Sequence, residues 1–225
     1  MKDNFALSQT IPYFSGMSEY IGKALVGYEE SQTVTKELRR RGWEAFSCDT
    51  EDCSGGRPDW HIKGDIRNQL TTYYDLVIFH PPCTRLTNSG VRWLAPRNLW
   101  ADLDSAAAFF NLRHEFNSLL VAAENPIPHK YAVDKIGRYT QIIRPREYGE
   151  RKLKATCLWL KGLPALKPTN IIDLPTDKEE LKQWAEVHRC PPGPDRAKLR
   201  SKTYPGIAAA MADQWTDHYL ALQVP

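Results

Sequence analysis

The chain has 225 residues, of which 42% are hydrophobic and 25% charged, and its formal charge is +3. These values describe an ordinary globular protein for which nucleic-acid binding is permitted but not demanded. Five cysteines (48, 53, 83, 157 and 190) form no CxxC pair, and no signal-peptide pattern or long apolar span is present. That excludes a disulfide framework and a membrane-spanning helix, and the expectation is a reduced, cytoplasmic protein with free thiols.

Taken in chain order, residues 1–22 read as an irregular extension and residues 23–225 as one domain. Ala24 to Tyr28 is a first strand, and Glu29 to Gln32 a polar turn. Val34 to Arg41 has helical spacing and a basic end (Arg39-Arg40-Arg41), stopped by Gly42. Trp43 to Cys48 is a second strand ending at Asp49, which completes a βαβ unit. Residues 50–61 read as a loop, and Gly64-Asp65-Ile66 opens the next segment. Asp75 to Phe79 is a strand, and residues 84–100, polar and aromatic, loop onward from it. Leu103 to Leu120 shows helical spacing, and a further strand ends near Glu124-Asn125-Pro126. Residues 140–143 and 155–160 are short strands, 161–177 a proline-rich loop, 177–187 a polar helix, 191–194 a rigid linker and 207–222 an amphipathic helix. The pattern predicts an α/β fold with a single Rossmann-like domain and a mainly parallel sheet.

The most informative segment is His80-Pro81-Pro82-Cys83, directly after an apolar strand. Strand exits of open α/β sheets are where ligands collect, and a thiolate is a strong nucleophile. Two prolines hold such a loop rigidly. The plain alternative is a buried structural cysteine beside a turn. Glu29, Glu30, Asp49 and Asp65 also fall at strand exits. A carboxylate closing the second strand suits ribose hydroxyls, although an Asp there also serves as a cap or turn residue. Cys48, Cys53 and His61 match no common zinc spacing, and the deaminase pattern is missing its His-x-Glu and its second cysteine.

In order, these elements resemble the DNA cytosine-5 methyltransferases. Asp75 through Gly90 (DLVIFHPPCTRLTNSG) is similar to that family's proline-cysteine motif, and Glu124-Asn125-Pro126 to its Glu-Asn-Val motif about forty residues on. Gly64-Asp65-Ile66 resembles the segment whose Asp meets the cofactor's adenine. Gln141-x-x-Arg144-x-Arg146 and Tyr204 to Ala208 loosely resemble two later motifs. The tail His188-Arg189-Cys190-Pro191-Pro192-Gly193-Pro194 is similar to that of small phage or prophage cytosine methylase-like proteins, which would place the chain in a bacterial host cell.

The resemblance implies methylation of carbon 5 of cytosine in DNA, with S-adenosylmethionine as cofactor and a Cys83 covalent intermediate. It implies catalytic roles for Cys83, Glu124, Arg144 and Arg146. It implies a cofactor site from Gly27, Tyr28, Glu29, Glu30, Ser31, Asp49, Asp65 and Pro81. Arg85, Asn88, Ser89, Arg92 and Trp93, with Arg97 and Trp100, supply candidate phosphate and stacking contacts to duplex or single-stranded DNA.

Two departures from the family pattern stand out. Tyr28 to Gln32 replaces the family's Phe-x-Gly-x-Gly, and residues 161–203 form only a reduced recognition insert. They keep two other readings open: modification of a free or single-stranded pyrimidine nucleotide, and a catalytically inactive DNA-binding or inhibitor protein. They also leave room for a partner protein that supplies specificity.

Overall fold

The structure, a computed structural model, describes residues 20–191, 193 and 200–224. The N-terminal extension up to residue 19, and Pro192 and Pro194 of the linker and tail motif at 188–194, lie outside the described residues. Seven strands are found among the described residues: β1 (Lys23–Gly27), β2 (Glu44–Asp49), β3 (His61–Lys63), β4 (Leu76–Phe79), β5 (Leu120–Pro126), β6 (Gln141–Ile143) and β7 (Thr156–Lys161). They form one sheet in the order β3-β2-β1-β4-β5-β7-β6. The first five strands are parallel, and β7 enters antiparallel between β5 and β6. The Rossmann-like, mainly parallel α/β domain expected from the sequence is therefore what the chain forms.

The helices are α1 (Thr33–Arg40), α2 (Trp100–Asn111), α3 (Lys130–Ile136), α4 (Lys178–Trp184) and α5 (Pro205–Leu222), with shorter helical turns between them. Both faces of the sheet are covered, which explains why its strands read as continuous apolar runs rather than alternating ones. Ala24, Val26, Leu76 and Ile78 face one way, onto Val34 and Leu38 of α1 and Ile207, Met211 and Trp215 of α5. Leu25, Val77 and Phe79 face the other way, onto Leu103, Ala107 and Phe110 of α2 and Ala132 and Ile136 of α3. The basic end of α1 serves packing between helices. Arg40 pairs with Asp213 at 2.7 Å, Arg41 pairs with Asp217, and Trp43 Nε1 donates to Thr216 at 2.7 Å. No helix among the described residues is long and apolar enough to cross a membrane.

Two boundaries differ from the sequence reading. Residues 61–63 are a strand, not the end of a loop; Ser47↔His61 and Asp49↔Lys63 pair it to β2. The helix expected to reach Leu120 ends at Asn111 and passes into a 3₁₀ turn at Leu112–His114. Buried Arg113 donates there to the carbonyls of Ile136, at 2.6 Å, and Phe110, tying the α2 end to α3.

The strand register aligns the carboxyl ends. Gly27 lies opposite Cys48 and Phe79, and Phe79 lies opposite Ala123. The segments after β1, β2, β3 and β4, together with Glu124 of β5, thus share one rim. The chain reverses its winding between β1 and β4, which is the switch point where such sheets bind ligands.

Candidate active site

One half of the rim is built by the exits of β4 and β5. His80 N donates to the Gly27 carbonyl at 2.9 Å and finishes the ladder. Pro81 is buried, and Cys83 follows at intermediate burial. The loop then closes on itself as Leu86 N and Thr87 N donate to the Cys83 carbonyl at 3.0 and 3.2 Å. His129 fastens this loop to the segment after β5. Its backbone N–H donates to the Leu86 carbonyl at 3.1 Å, and its Nε2 bonds the Arg85 carbonyl at 2.8 Å. Nδ1 accepts from Ala132 N, so the N–H sits on Nε2. The Pro-Cys and Glu-Asn segments are thus one assembly.

Glu124 reaches across from β5 and bonds His80 Nδ1 at 2.8 Å, with 13% and 10% of the two side chains exposed. Burial works against the Glu124 charge. The His80 hydrogen bond, the Lys154 charge and a bond from Thr156 outweigh it and hold the carboxyl below its usual range. Burial likewise works against a charged His80, but Glu124, and beyond it Glu29, raise it above the usual imidazole value. The Cys83 thiol is pushed up by burial and then by the Glu124 charge, with Lys154 opposing. These shifts favour a protonated Cys83 and an ionised Glu124. Burial raises Cys48 and Cys157 to about 12, which leaves them inert. Lys154, Thr156, Lys202, Thr203 and Tyr204 line a cleft with Glu124.

The other half of the rim follows β1, β2 and β3. Asp49 is 8% exposed and takes the Glu51 N–H on one oxygen at 3.1 Å. Asp65 caps the 3₁₀ turn at Ile66–Gln69 and pairs with Arg67 at 2.8 Å. Partial burial, and then the charges of Asp65 and Asp49, raise the Tyr28 phenol above its ordinary value. Tyr28 therefore lies within reach of both carboxylate charges. A buried carboxylate, a partly exposed one and a phenol ring suit the hydroxyls and flat base of an adenosine, so these residues fit S-adenosylmethionine.

The glycine-poor loop reaches its turn geometry by other means. Tyr28 and Gln32 adopt φ of 60° and 57°, a left-handed conformation that costs a non-glycine residue about 1–2 kcal/mol. Fully buried Gln32 offsets this with side-chain bonds to Ser47 (3.2 Å), the Arg57 carbonyl (2.7 Å), Arg57 N (3.1 Å) and Cys53 (3.0 Å).

Several expected site residues are placed elsewhere. Both oxygens of Glu29 serve the start of α1, accepting from Val34 N (2.5 Å), Thr35 N (3.1 Å) and Thr35 Oγ1 (2.7 Å). It is a helix cap and not a rim ligand. Glu30 accepts from Ser54, and Ser31 bonds Thr33 at 3.2 Å. Ile66 packs over Gly27, 2.9 Å from where a Cβ would stand. Arg144 pairs with Glu147 at 3.3 Å, and Arg146 donates to the Ile172 carbonyl at 3.4 Å. Neither lines the Glu124 cleft.

Around the Cys83 loop, Arg85 pairs with Asp102 at 3.1 Å, Asn88 N donates to the Ile127 carbonyl, and Ser89 bonds Thr87 at 2.9 Å. Arg92 and Arg97 sit over exposed Trp93 at 4.8 and 4.2 Å, and exposed Trp100 packs on exposed Tyr131 at 5.2 Å. The sequence reading missed His80, Lys154 and Thr156. His80 was visible beside the prolines, whereas Lys154 had no local signal.

No protein-family model matches the chain, and no curated protein matches it in sequence. Similar folds occur among solved structures. One is described as a DNA modification methyltransferase encoded within an E. coli prophage; it is 13% identical, with a TM-score of 0.45, over 68% of this chain and 52% of that one. Another is the Entamoeba histolytica methyltransferase EhMeth, 11% identical, with a TM-score of 0.46, over 72% of this chain and 62% of that one. The chain thus spans between half and two thirds of those proteins. At such values the likeness decides nothing about activity.

Proposed function

We propose that the chain methylates carbon 5 of cytosine in DNA through a covalent bond between Cys83 and carbon 6 of the ring. The observation that carries this reading is that His129 binds the Cys83 loop to the segment after β5, while buried Glu124 on that strand bonds His80 of the same Pro-Cys segment at 2.8 Å. Because the thiol rests protonated and Glu124 rests ionised, the addition needs no outside proton. Sulfur bonds to carbon 6 while the thiol proton passes through Glu124 to ring N3, and carbon 5 becomes nucleophilic. S-adenosylmethionine, when bound, supplies the methyl electrophile, and Tyr28, Asp49 and Asp65 would hold its adenosine. Lys154, rather than Arg144 or Arg146, would meet carbonyl O2. The carbon-5 hydrogen leaves as a proton to solvent water, the electron pair it leaves behind expels sulfur from carbon 6, and return of the N3 proton through Glu124 regenerates the thiol.

Duplex substrate requires the base to be flipped out, at a few kcal/mol. Arg85, Asn88, Ser89, Arg92 and Trp93 would steady the strand. The exposed rings of Trp93, Trp100 and Tyr131 also favour a second reading, in which the substrate is single-stranded DNA or a free pyrimidine nucleotide, since unpaired bases stack on such rings. With a reduced insert at 161–203, sharp sequence selectivity would need a partner protein.

The test is incubation with S-adenosylmethionine and 5-fluorocytosine in duplex, single-stranded and mononucleotide form, followed by peptide mass mapping. An adduct on Cys83, absent from Cys83→Ser, is expected, because fluorine blocks the proton loss that frees the enzyme. An adduct on any other cysteine, or full activity in Cys83→Ser, would overturn the reading. No binding of S-adenosylmethionine at millimolar concentration would favour a catalytically inactive methylase-fold protein instead.

A further inference from the structure

We propose that His80 is a positioning residue that carries a buried positive charge and thereby keeps Glu124 ionised, so that Glu124 can carry a proton from Cys83 to the substrate. The inference rests on the function proposed for Cys83 and Glu124. Three observations support it.

His80 and Glu124 lie at neighbouring strand exits, since Phe79 faces Ala123 in the parallel β4–β5 ladder, and their side chains meet at 2.8 Å. The register therefore builds the pair into the sheet itself. Secondly, the site is nearly closed to water, so a lone carboxylate there would be driven towards its neutral form. An ionised Glu124 can accept the thiol proton directly, whereas a neutral Glu124 is a far weaker acceptor and would slow the addition. Thirdly, Nε2 of His80 is buried and, among the described residues, meets no hydrogen-bond partner. Among those residues the ring's one directed contact is with Glu124.

The charged groups that face the imidazole are Glu124 on β5, Glu29 after β1 and Lys154 before β7. Glu124 bonds the ring directly. Glu29 adds a second negative charge, although its own burial raises its carboxyl and weakens that contribution. Lys154 opposes a charged ring but also holds Glu124 low. The ring is thus flanked by two carboxylates and opposed by one ammonium, an arrangement that favours imidazolium.

The test has one arm that needs no activity. In the full chain labelled with ¹⁵N-histidine, the His80 ring resonances (identified by their loss in His80→Gln) are followed against pH. Imidazolium persisting above about pH 6.5, the ordinary midpoint, is expected in the wild type, with a clear downward shift in Glu124→Gln. A His80 that is neutral at that pH, or that is unmoved by Glu124→Gln, overturns the proposal. The second arm is the pH profile of methyl transfer. In His80→Gln, which keeps a donor but no charge, the acidic limb should move up by at least about one pH unit, the scale of one lost neighbouring charge. A slower enzyme with an unmoved acidic limb would mean that His80 is merely structural and also overturns the proposal. If the wild type transfers no methyl group, the proposed function fails, and the resonance titration still decides the charge on His80.

Discussion

Glu29 and Asp49 were both expected as cofactor ligands; the structure makes Glu29 a helix cap and leaves Asp49 at the rim, and a pair of substitutions tests the difference. Glu29→Ala strands two backbone N–H groups and one hydroxyl at the start of α1. A buried donor left without a partner costs about 1–3 kcal/mol. Loss of a helix cap rarely exceeds about 2 kcal/mol, because water reaches the freed turn. Three dry donors would cost up to about 9 kcal/mol and a lost cap about 2 kcal/mol, and with water reaching the turn the expected loss lies near the lower figure, at about 2–4 kcal/mol. At roughly 2–4 °C per kcal/mol for a chain of this size, the melting temperature should fall by roughly 4–16 °C. Affinity for S-adenosylmethionine, read by calorimetric titration well below that temperature, should hardly change. Asp49→Ala should do the converse. Urea denaturation should change little, while affinity weakens by about 1–3 kcal/mol as ribose hydroxyls lose their acceptor. If Glu29→Ala weakened binding without loss of stability, the capping assignment would be wrong.

The His80–Glu124 pair should also show in stability against pH, measured as the difference between wild type and His80→Gln. The raised His80 contributes stability that is complete below about pH 6.5 and is lost as pH rises through its folded value. The lowered Glu124 contributes stability that is complete above about pH 4.3 and is lost as pH falls. The difference should therefore peak between those values; a flat difference would refute the coupling. Lys154→Met should slow methyl transfer by about 10²-fold if Lys154 supplies charge at the substrate, whereas Arg144→Ala should leave the rate within a few-fold. The reverse order in single-turnover assays would restore the arginine. Trp93→Ala should weaken single-stranded oligonucleotide binding by about 1–3 kcal/mol in fluorescence titrations, the scale of one stacked base. Unchanged binding would rule that ring out as a platform.

What the sequence disclosed depended on how local each cause is. Leu25 and Val77 announced themselves because strands buried on both faces are apolar throughout. Cys83 and Glu124 were legible because each sits in a short motif at a strand exit. The strand at His61–Lys63 was not, because three residues carry no period and only the β2 edge, with the Ser47–His61 bond at 2.8 Å, makes them a strand. The arginines misled for a similar reason. Glu147, three residues beyond Arg144, forms a local capping box and draws the guanidinium to itself. Lys154 was invisible because it reaches Glu124 through the β5–β7 pairing, in which Glu124 lies opposite Leu158.

The His129 fastening bears on how the site opens. Its bonds join the 83–88 loop to the segment after β5, and Asn88 N adds a further tie to Ile127. A flap held at several points to a core strand does not swing alone. It opens only when its anchor lets go, so the two segments belong to one cooperative unit with one opening free energy. The amides of Asn88 and His129 would then exchange with solvent deuterium at a common rate. The thiol loop is thereby a fixed wall of the site, and any gate for an incoming base has to lie in the turns beyond it.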